Sequence, residues 1–175
     1  MISRKAGRQH PDDMQTPARP GWREPLPERM AWIRDRIERV PFTRLEVVNK
    51  WRKAMTKAED STRDVSPDTA LGAAYDAGRI ACEALLACHH VRVRSGQGHH
   101  ERVFSAIAAL GITGCDDIVA DSEEVRIARH ESEYGSELAT RESVQHARAW
   151  VDHYLPLLRC AIELADPEIH GALSR

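Results

Sequence analysis

The stretch that decides the fold is "SPDTALGAAYDAGRIACEALLACHH", residues 66–90. It begins with three helix-start signals, because Ser66 can cap a helix, Pro67 suits the first helical position and Asp68 places an acid in the first turn. One side of the helix is then apolar at helical spacing: Leu71, Ala74, Gly78, Ala81, Leu85 and Cys88. Small residues such as Gly72 also occur along it, so we expect a second helix to approach closely.

Helical signals continue on both sides of this stretch. Thr43 can cap a preceding helix, whose predicted stripe is Leu45, Val48, Arg52 and Met55, with Trp51 beside it. Downstream, "HHERVFSAIAAL" (99–110) predicts a helix closed by Gly111, and a further helix ends at Gly135. Thr140 can cap the last helix, which carries Pro156, a kink signal, and which presents to the core Val144, Ala147, Val151, Tyr154, Leu158 and Ile162.

No strand of useful length is predicted, because residues 91–94 are too few to pair alone. The pattern therefore predicts an all-α fold, an up-and-down helical bundle of four to five main helices over residues 43–165. A tail follows at residues 166–175. A short extra helix over residues 30–41 is predicted before the bundle, with Met30, Ile33, Ile37 and Val40 on one stripe and Pro41 at its end.

Residues 1–29 differ in composition from the rest. They hold five of the nine prolines, almost no aliphatic residues and several basic residues. Such a segment cannot bury enough apolar surface to offset its ordering entropy, so we expect a flexible Pro/Arg-rich arm. Trp22 is a candidate anchor onto the body or onto a partner.

Charge and cysteine content narrow the function classes. A net charge of −2 over 175 residues gives no bulk attraction to nucleic acid, which would need a local basic patch. No apolar run is long enough to span a membrane and the first residues lack an apolar signal core, which predicts a cytoplasmic protein without membrane contact. The four cysteines form no CxxC pair and are expected to be buried and reduced.

No metal and no cofactor is predicted. Four histidines lie within twelve residues, at positions 89, 90, 99 and 100, yet no HxxxH pair places two ligands on one helix face. We expect His99 and His100 to start their helix, one of them reaching the cleft described next.

The stretch "VRIARHESEYG" (125–135) directs attention to Arg129. At about 100° per residue, Val125 lies roughly 20° to one side of Ile118 and Arg129 roughly 20° to the other, so Arg129 shares the apolar stripe. A buried guanidinium is costly unless it is paired. Three arrangements would satisfy it: an ion pair with Glu133, a cleft open to solvent, or an interface that admits a phosphate.

The residues from "AYDAGRIACEALLACHH" through "GQGHHERVFSAIAAL" to "ARHESEYG" resemble the HEPN domain, a small all-α bundle. The resemblance covers roughly residues 43–165. It implies a metal-independent ribonuclease site where two protomers meet, with an arginine that handles phosphate and a histidine that moves protons. Arg129 matches that arginine and His130 the polar residue after it.

The expected catalytic histidine falls on Tyr134, which is a departure from the family pattern. Imidazole titrates near neutral pH and phenol near about pH 10, so a tyrosine is a poor proton carrier. The predicted site is accordingly Arg129, His130, Glu133 and Tyr134, in a cleft that engages RNA or nucleotide. Its predicted nucleic-acid-binding residues are Arg92, Arg94, Arg102, His99, His100 and Arg126.

The resemblance implies a homodimer, an RNA ligand, and a toxin–antitoxin or phage-defence setting with a cognate nucleotidyltransferase or other antitoxin-like partner. Whether the protein is an enzyme stays open at this point, because Tyr134 replaces the histidine. The alternative is a non-catalytic protein–protein interaction module, in which the arm at residues 1–29 recruits a partner and Arg129 pairs with Glu133 to fix helix packing.

Overall fold

The computed structural model describes residues 33–135 and 138–173. Six α-helices and one two-stranded sheet occur within these ranges. In chain order they are β1 (Ile37–Arg39), α1 (Arg44–Thr62), α2 (Pro67–Cys88), β2 (Val91–Val93), α3 (His99–Leu110), α4 (Ile118–Tyr134), α5 (Arg141–Ala165) and α6 (His170–Leu173). The predicted all-α bundle is confirmed.

Helix α2 is the centre of the bundle, packed against α1, α3, α4 and α5. It begins as predicted, with the Ser66 side chain accepting a hydrogen bond from the Thr69 N–H and Pro67 in the first turn. Its residues are small and apolar on almost every side, so a helix with neighbours all round can bury most of them. Gly78 lies directly under the Trp150 ring of α5, where a Cβ atom would overlap the indole.

Helix α1 is capped by Thr43 as predicted, but its buried face differs from the predicted stripe. The residues it buries are Val47, Val48, Trp51, Ala54 and Ser61. Leu45, Arg52 and Met55 are exposed. The Trp51 ring provides the largest apolar area on this helix, so the face that buries it turns Leu45 and Met55 outward.

The helix predicted over residues 30–41 is wrong for the part that the structure describes. Residues 33–36 form a 3-10 turn, and β1 follows, paired antiparallel to β2 with Ile37 opposite Val93. The Val40 N–H also donates to the His90 carbonyl at 3.0 Å. Residues 91–94, which appeared too short to pair, therefore do form a strand, because β1 and β2 satisfy each other's backbone hydrogen bonds. This pairing joins residues far apart in sequence, so local spacing does not predict it.

Asp68, in the first turn of α2, fastens the chain on both sides of the α4 C-terminus. Its Oδ1 accepts hydrogen bonds from Ser132 Oγ at 2.5 Å and from the Ala139 N–H at 2.8 Å. The hydrogen bond from Ser132, which has the larger effect, and the one from Ala139 both lower the pKa of Asp68. The end of α4 and the start of α5 are thereby held on α2.

Helix α5 begins at the Thr140 cap and continues unbroken past Pro156, which lies on its exposed side. The predicted tail is structured over residues 166–173, where a 3-10 turn at Pro167–Ile169 leads into α6 and buries Ile169 and Leu173. The predicted arm at residues 1–29, including Trp22, lies outside the described residues, as does Met30.

Candidate functional site

Helix α4 buries little of itself. Its buried residues are Ile118, Ser122 and Val125, which follow one another at helical spacing. The next residue on this stripe is Arg129, whose side chain is 21 % exposed. The apolar face of the helix therefore ends in a guanidinium at the edge of the bundle.

Arg129 makes the ion pair that its spacing allows and also faces α2. Its Nε donates to Glu133 Oε1 at 2.8 Å, and its Cζ lies 5.1 Å from the centre of the Tyr75 ring. Gly72, one turn earlier on α2, leaves room for it, since a Cβ atom there would lie 4.0 Å from Arg129 Nε. A cation over an aromatic face is stabilised by the ring quadrupole, so Tyr75 supports the partly desolvated guanidinium.

Tyr75 forms the floor between α3 and α4. It is 0 % exposed, and its ring lies 5.6 Å from that of His100 and 5.9 Å from that of Phe104. Its hydroxyl has no hydrogen-bond partner among the described residues. Burial raises the pKa of Tyr75 to about 12, although the charges of Arg129, Arg79 and Arg126 act in the opposite direction.

The start of α3 brings two histidines to the same place. Gly98 precedes the helix with a φ of 72°, a left-handed conformation that suits glycine, so the chain turns sharply into His99 and His100. Burial lowers the pKa of His100, and the positive charges of Arg79 and Arg129 lower it further. His100 is therefore a neutral imidazole near neutral pH, able to accept a proton.

His99 is held in place by a polar network on α2. Its Nδ1 lies 3.2 Å from the Arg94 carbonyl oxygen and its Nε2 lies 3.4 Å from Glu83 Oε1. The Glu83 carboxylate also accepts a hydrogen bond from Lys50 Nζ at 3.2 Å and pairs with Arg79. Burial raises the pKa of Glu83, but these cations together outweigh it and leave the pKa lowered. Glu83 is thus an anion that positions His99.

These side chains meet in an open pocket of about 370 Å³, which we call the α2–α3–α4 pocket. Its lining residues are Tyr75, Gly96, Gly98, His99, His100, Glu101, Arg126, Arg129, His130, Glu133 and Tyr134. Two arginines and three histidines face two glutamates. The formal charges of the two arginines and the two glutamates cancel.

His130 and Tyr134 form the outer wall of the pocket. Both are exposed, Tyr134 by 77 %, and their ring centroids are 5.2 Å apart. Arg126, one turn before His130, is held by Glu123 with its Nε 2.6 Å from Glu123 Oε2. The rim accordingly offers two exposed rings beside guanidinium groups, a combination suited to a phosphate with an attached base.

The predicted site residues separate into two groups. The α2–α3–α4 pocket includes Arg129, His130, Glu133, Tyr134, His99, His100 and Arg126. Arg92 lies in a second pocket instead, where it pairs with Glu46 at 3.3 Å. Arg94 is exposed outside the pocket lining, and the Arg102 guanidinium lies next to Gly98 without lining the pocket. These three arginines therefore lie outside the α2–α3–α4 pocket, and their role in binding nucleic acid stays a prediction.

Two lining residues were not predicted to have a role of their own. The Tyr75 sequence position indicates a core residue, which it also is, since its ring is fully buried. Glu101 lies in the first turn of α3, where an acid is common for helix stability alone. Neither carries a local signal, because their place in the pocket depends on how α2, α3 and α4 pack.

The histidines and cysteines do not gather into a metal site within the described ranges, where no cluster of three or more His, Cys, Asp or Glu side chains is placed to hold a metal ion. Cys82, Cys88 and Cys115 are buried thiols, as predicted, but Cys160 is exposed. Burial raises the pKa of Cys82.

Comparison of the chain with protein-family models, with curated proteins and with solved structures finds no match. Across the described part of the chain, every helix is either too short or too polar to traverse a bilayer.

Proposed function

We propose that this chain is a HEPN-like protein that engages RNA or nucleotide in the α2–α3–α4 pocket and cleaves RNA without a metal ion. One observation carries the proposal: Arg129 and Arg126 share an open pocket with three imidazoles. Guanidinium groups bind phosphate, and an imidazole pair can accept and return a proton. The resemblance of the sequence to the HEPN domain points to the same chemistry.

Arg129 is the proposed phosphate ligand. Its side chain is partly buried over Tyr75, so its charge is less screened than that of a surface arginine. Its carboxylate partner, Glu133, is exposed and can be exchanged for a phosphate oxygen. Arg126 contributes a second positive charge close by, although Glu123 holds it.

His100 is the proposed general base, in place of the histidine that Tyr134 replaces. In the proposed reaction, His100 takes the proton of a ribose 2′-hydroxyl and the 2′-oxygen attacks the adjacent phosphorus. The bond from phosphorus to the 5′-oxygen breaks, and that oxygen takes a proton from His130. The products are a 2′,3′-cyclic phosphate and a 5′-hydroxyl, so no water, metal or redox partner is consumed.

The biological setting is proposed from the resemblance. A ribonuclease-like toxin or phage-defence component needs control, which a cognate nucleotidyltransferase or another antitoxin-like protein would provide. A homodimer would place the α4 faces of two protomers near one another at the cleft. The cytoplasm is the proposed location, since that is where such an RNA target is found.

The test is cleavage of a synthetic single-stranded RNA by the purified chain in the presence of EDTA. We expect cleavage by the wild type and a loss of at least about 100-fold with Arg129→Ala, because removing one charge-stabilising donor has an effect of that order. A cyclic phosphate on the 5′ product, detected by mass spectrometry, would support the mechanism.

Arg159→Ala is the matched control. Arg159 pairs with Glu163 four residues on, with the same Nε–Oε1 distance of 2.8 Å as in the Arg129–Glu133 pair, but on α5 and outside the pocket lining. It should leave cleavage unchanged. Equal activity of Arg129→Ala and Arg159→Ala would refute the proposed role of Arg129.

The second candidate is a non-catalytic interaction module. The observation that favours it is the outer face of α4, where Ile127 and Tyr134 are exposed and lie within about 20° of each other on the helix. In this case no RNA is cleaved, the arm at residues 1–29 recruits a partner, and Arg129 serves packing alone. Arg129→Ala would then lower the melting temperature only slightly, because the Glu133 carboxylate that it leaves behind is exposed.

A further inference from the structure

The hydroxyl of Tyr75 is a polar group at the floor of the pocket that the fold does not use. The side chain is 0 % exposed and the oxygen has no partner among the described residues. Buried polar side-chain atoms are nearly always hydrogen-bonded, so an unpaired one calls for an explanation in terms of strain, a ligand or a function. The Tyr75 ring packs against the Phe104 and Trp150 rings through its aromatic atoms, and neither contact uses the hydroxyl.

The surroundings of this hydroxyl favour an anion. Arg129 lies over the ring at 5.1 Å, and the charges of Arg79 and Arg126 also act on the hydroxyl. Arg79, one turn further along α2, pairs with Asp76 and Glu83 and does not line the pocket, so its charge acts on the hydroxyl only from a distance. The unused hydroxyl and the two lining arginines, Arg129 and Arg126, together suit an acceptor that carries negative charge, as phosphate oxygens do.

We infer that the Tyr75 hydroxyl donates a hydrogen bond to a phosphate oxygen of the ligand that occupies the α2–α3–α4 pocket. This inference rests on the proposed function and deepens it by naming the ligand group at the floor. Arg129, whose guanidinium lies 5.1 Å from the centre of the Tyr75 ring, is the charged group that would bind the same phosphate.

The donor is available at every physiological pH. Burial holds the pKa of Tyr75 at about 12, so the phenol keeps its proton and does not become a competing anion. Tyr75 is therefore a binding residue and not a proton carrier, which distinguishes it from His100.

The experiment compares Tyr75→Phe with Tyr154→Phe in the full chain. Both remove one hydroxyl from a buried tyrosine, but Tyr154 Oη donates to Asp121 Oδ2 at 2.6 Å, outside the pocket lining. Melting temperatures are measured with sodium phosphate and with sodium chloride at equal ionic strength. Exclusion of phosphate from the protein surface stabilises all variants alike, so the difference between variants reports the site.

Without phosphate, Tyr75→Phe should melt at the wild-type temperature or above it, because no bond is lost, whereas Tyr154→Phe should melt lower. With phosphate, Tyr154→Phe should keep the wild-type increase and Tyr75→Phe should lose most of it. Binding of a labelled single-stranded RNA, measured by fluorescence anisotropy, should weaken by about tenfold in Tyr75→Phe, as expected for a hydrogen bond to a charged group.

Two outcomes would overturn the inference: a phosphate-induced increase in melting temperature that is no larger in wild type than in Tyr75→Phe, or a melting temperature of Tyr75→Phe without phosphate that is lower than that of the wild type. The proposed function fails separately. A phosphate effect that depends on Tyr75, without RNA cleavage, would support the phosphate site and reject the ribonuclease. RNA cleavage that depends on Arg129 but not on Tyr75 would support the ribonuclease and reject the phosphate contact of Tyr75.

Discussion

Helix α2 supplies the floor of the pocket and α4 supplies one wall, and the two helices differ in how they are held in the fold. Of the 22 residues of α2, fifteen are buried, whereas α4 buries three of its 17. Helix α2 is composed mainly of alanine, leucine and glycine, whereas seven of the 17 residues of α4 are charged. The first is held by packing on nearly every side. The second is held along one short stripe and at its end by Asp68.

The difference indicates where each helix tolerates change. At most positions of α2 a larger side chain would meet close-packed atoms and change stability, whereas most side chains of α4 are at least partly exposed. Three charged residues of α4, Arg126, Arg129 and Glu133, line the pocket, whereas Asp121 accepts a hydrogen bond from Tyr154 of α5.

The largest effect is expected on α2, at Gly78. Gly78→Ala places a methyl group into the Trp150 ring, which is itself buried among Tyr75, Phe104 and Tyr154. Overpacking at such a site costs up to about 3 kcal/mol, and alanine regains about 1 kcal/mol of helix propensity. We therefore expect the free energy of unfolding in urea to fall by about 2 kcal/mol.

Gly72→Ala is its control on the same helix. The added Cβ atom meets only Arg129 Nε at 4.0 Å, an ordinary contact. Helix propensity should then dominate and raise the free energy of unfolding by up to about 1 kcal/mol. If both alanines stabilised the protein, the close contact between α2 and α5 would be refuted.

A smaller effect is expected at His100, which lies in the first turn of α3 and lines the same pocket. Burial first, and then the charges of Arg79 and Arg129, lower the pKa of His100, and burial lowers that of His89. At a pH between the histidine pKa of the folded protein and that of the unfolded chain, the unfolded chain binds more protons. The stabilisation is therefore fully present above the pKa of the unfolded chain and is lost as the pH falls through the lower pKa of the folded protein. The melting temperature should therefore decrease from pH 7.5 to pH 5, and His100→Asn should flatten this dependence. If the melting temperature of His100→Asn depended on pH as steeply as that of the wild type, the burial of His100 would be contradicted.

The smallest effect on stability is expected on the outer face of α4. Ile127 is 44 % exposed, so Ile127→Ser should change the free energy of unfolding by no more than about 0.5 kcal/mol. The proposed dimer provides the second readout, because light scattering should show a dimer in the wild type and a shift toward monomer in the variant. A monomeric wild type would remove the dimer from the proposal, and an unfolded variant would show that α4 depends on this face.

The sequence predicts well those features that depend on neighbouring residues. Thr43, Ser66 and Thr140 cap their helices as predicted, because a cap needs only a side-chain oxygen and an N–H three residues away. Gly111 ends α3 in the left-handed conformation that its position predicts. The apolar stripes of α2 and α5 are also buried as predicted.

Features that depend on distant residues were not predictable in this way. Ile33, Ile37 and Val40 are buried as their spacing indicates, but they do not share one helix. Ile33 lies in a 3-10 turn and Ile37 lies in β1, which pairs with β2. The orientation of Arg129 follows from spacing along α4, whereas the Tyr75 ring beneath it belongs to another helix. The sequence therefore locates one wall of the pocket, and the packing of three helices supplies the rest.

The bonds that Asp68 accepts give this carboxylate an influence beyond its own helix. It holds Ser132 and Ala139, on either side of the exposed end of α4, and that end carries His130, Glu133 and Tyr134. Two hydrogen bonds thus link the first turn of α2 to the end of α4 that lines the pocket. A modification or a bound partner that broke the hydrogen bonds of Asp68 would free the end of α4 at the pocket and leave the hydrophobic core intact.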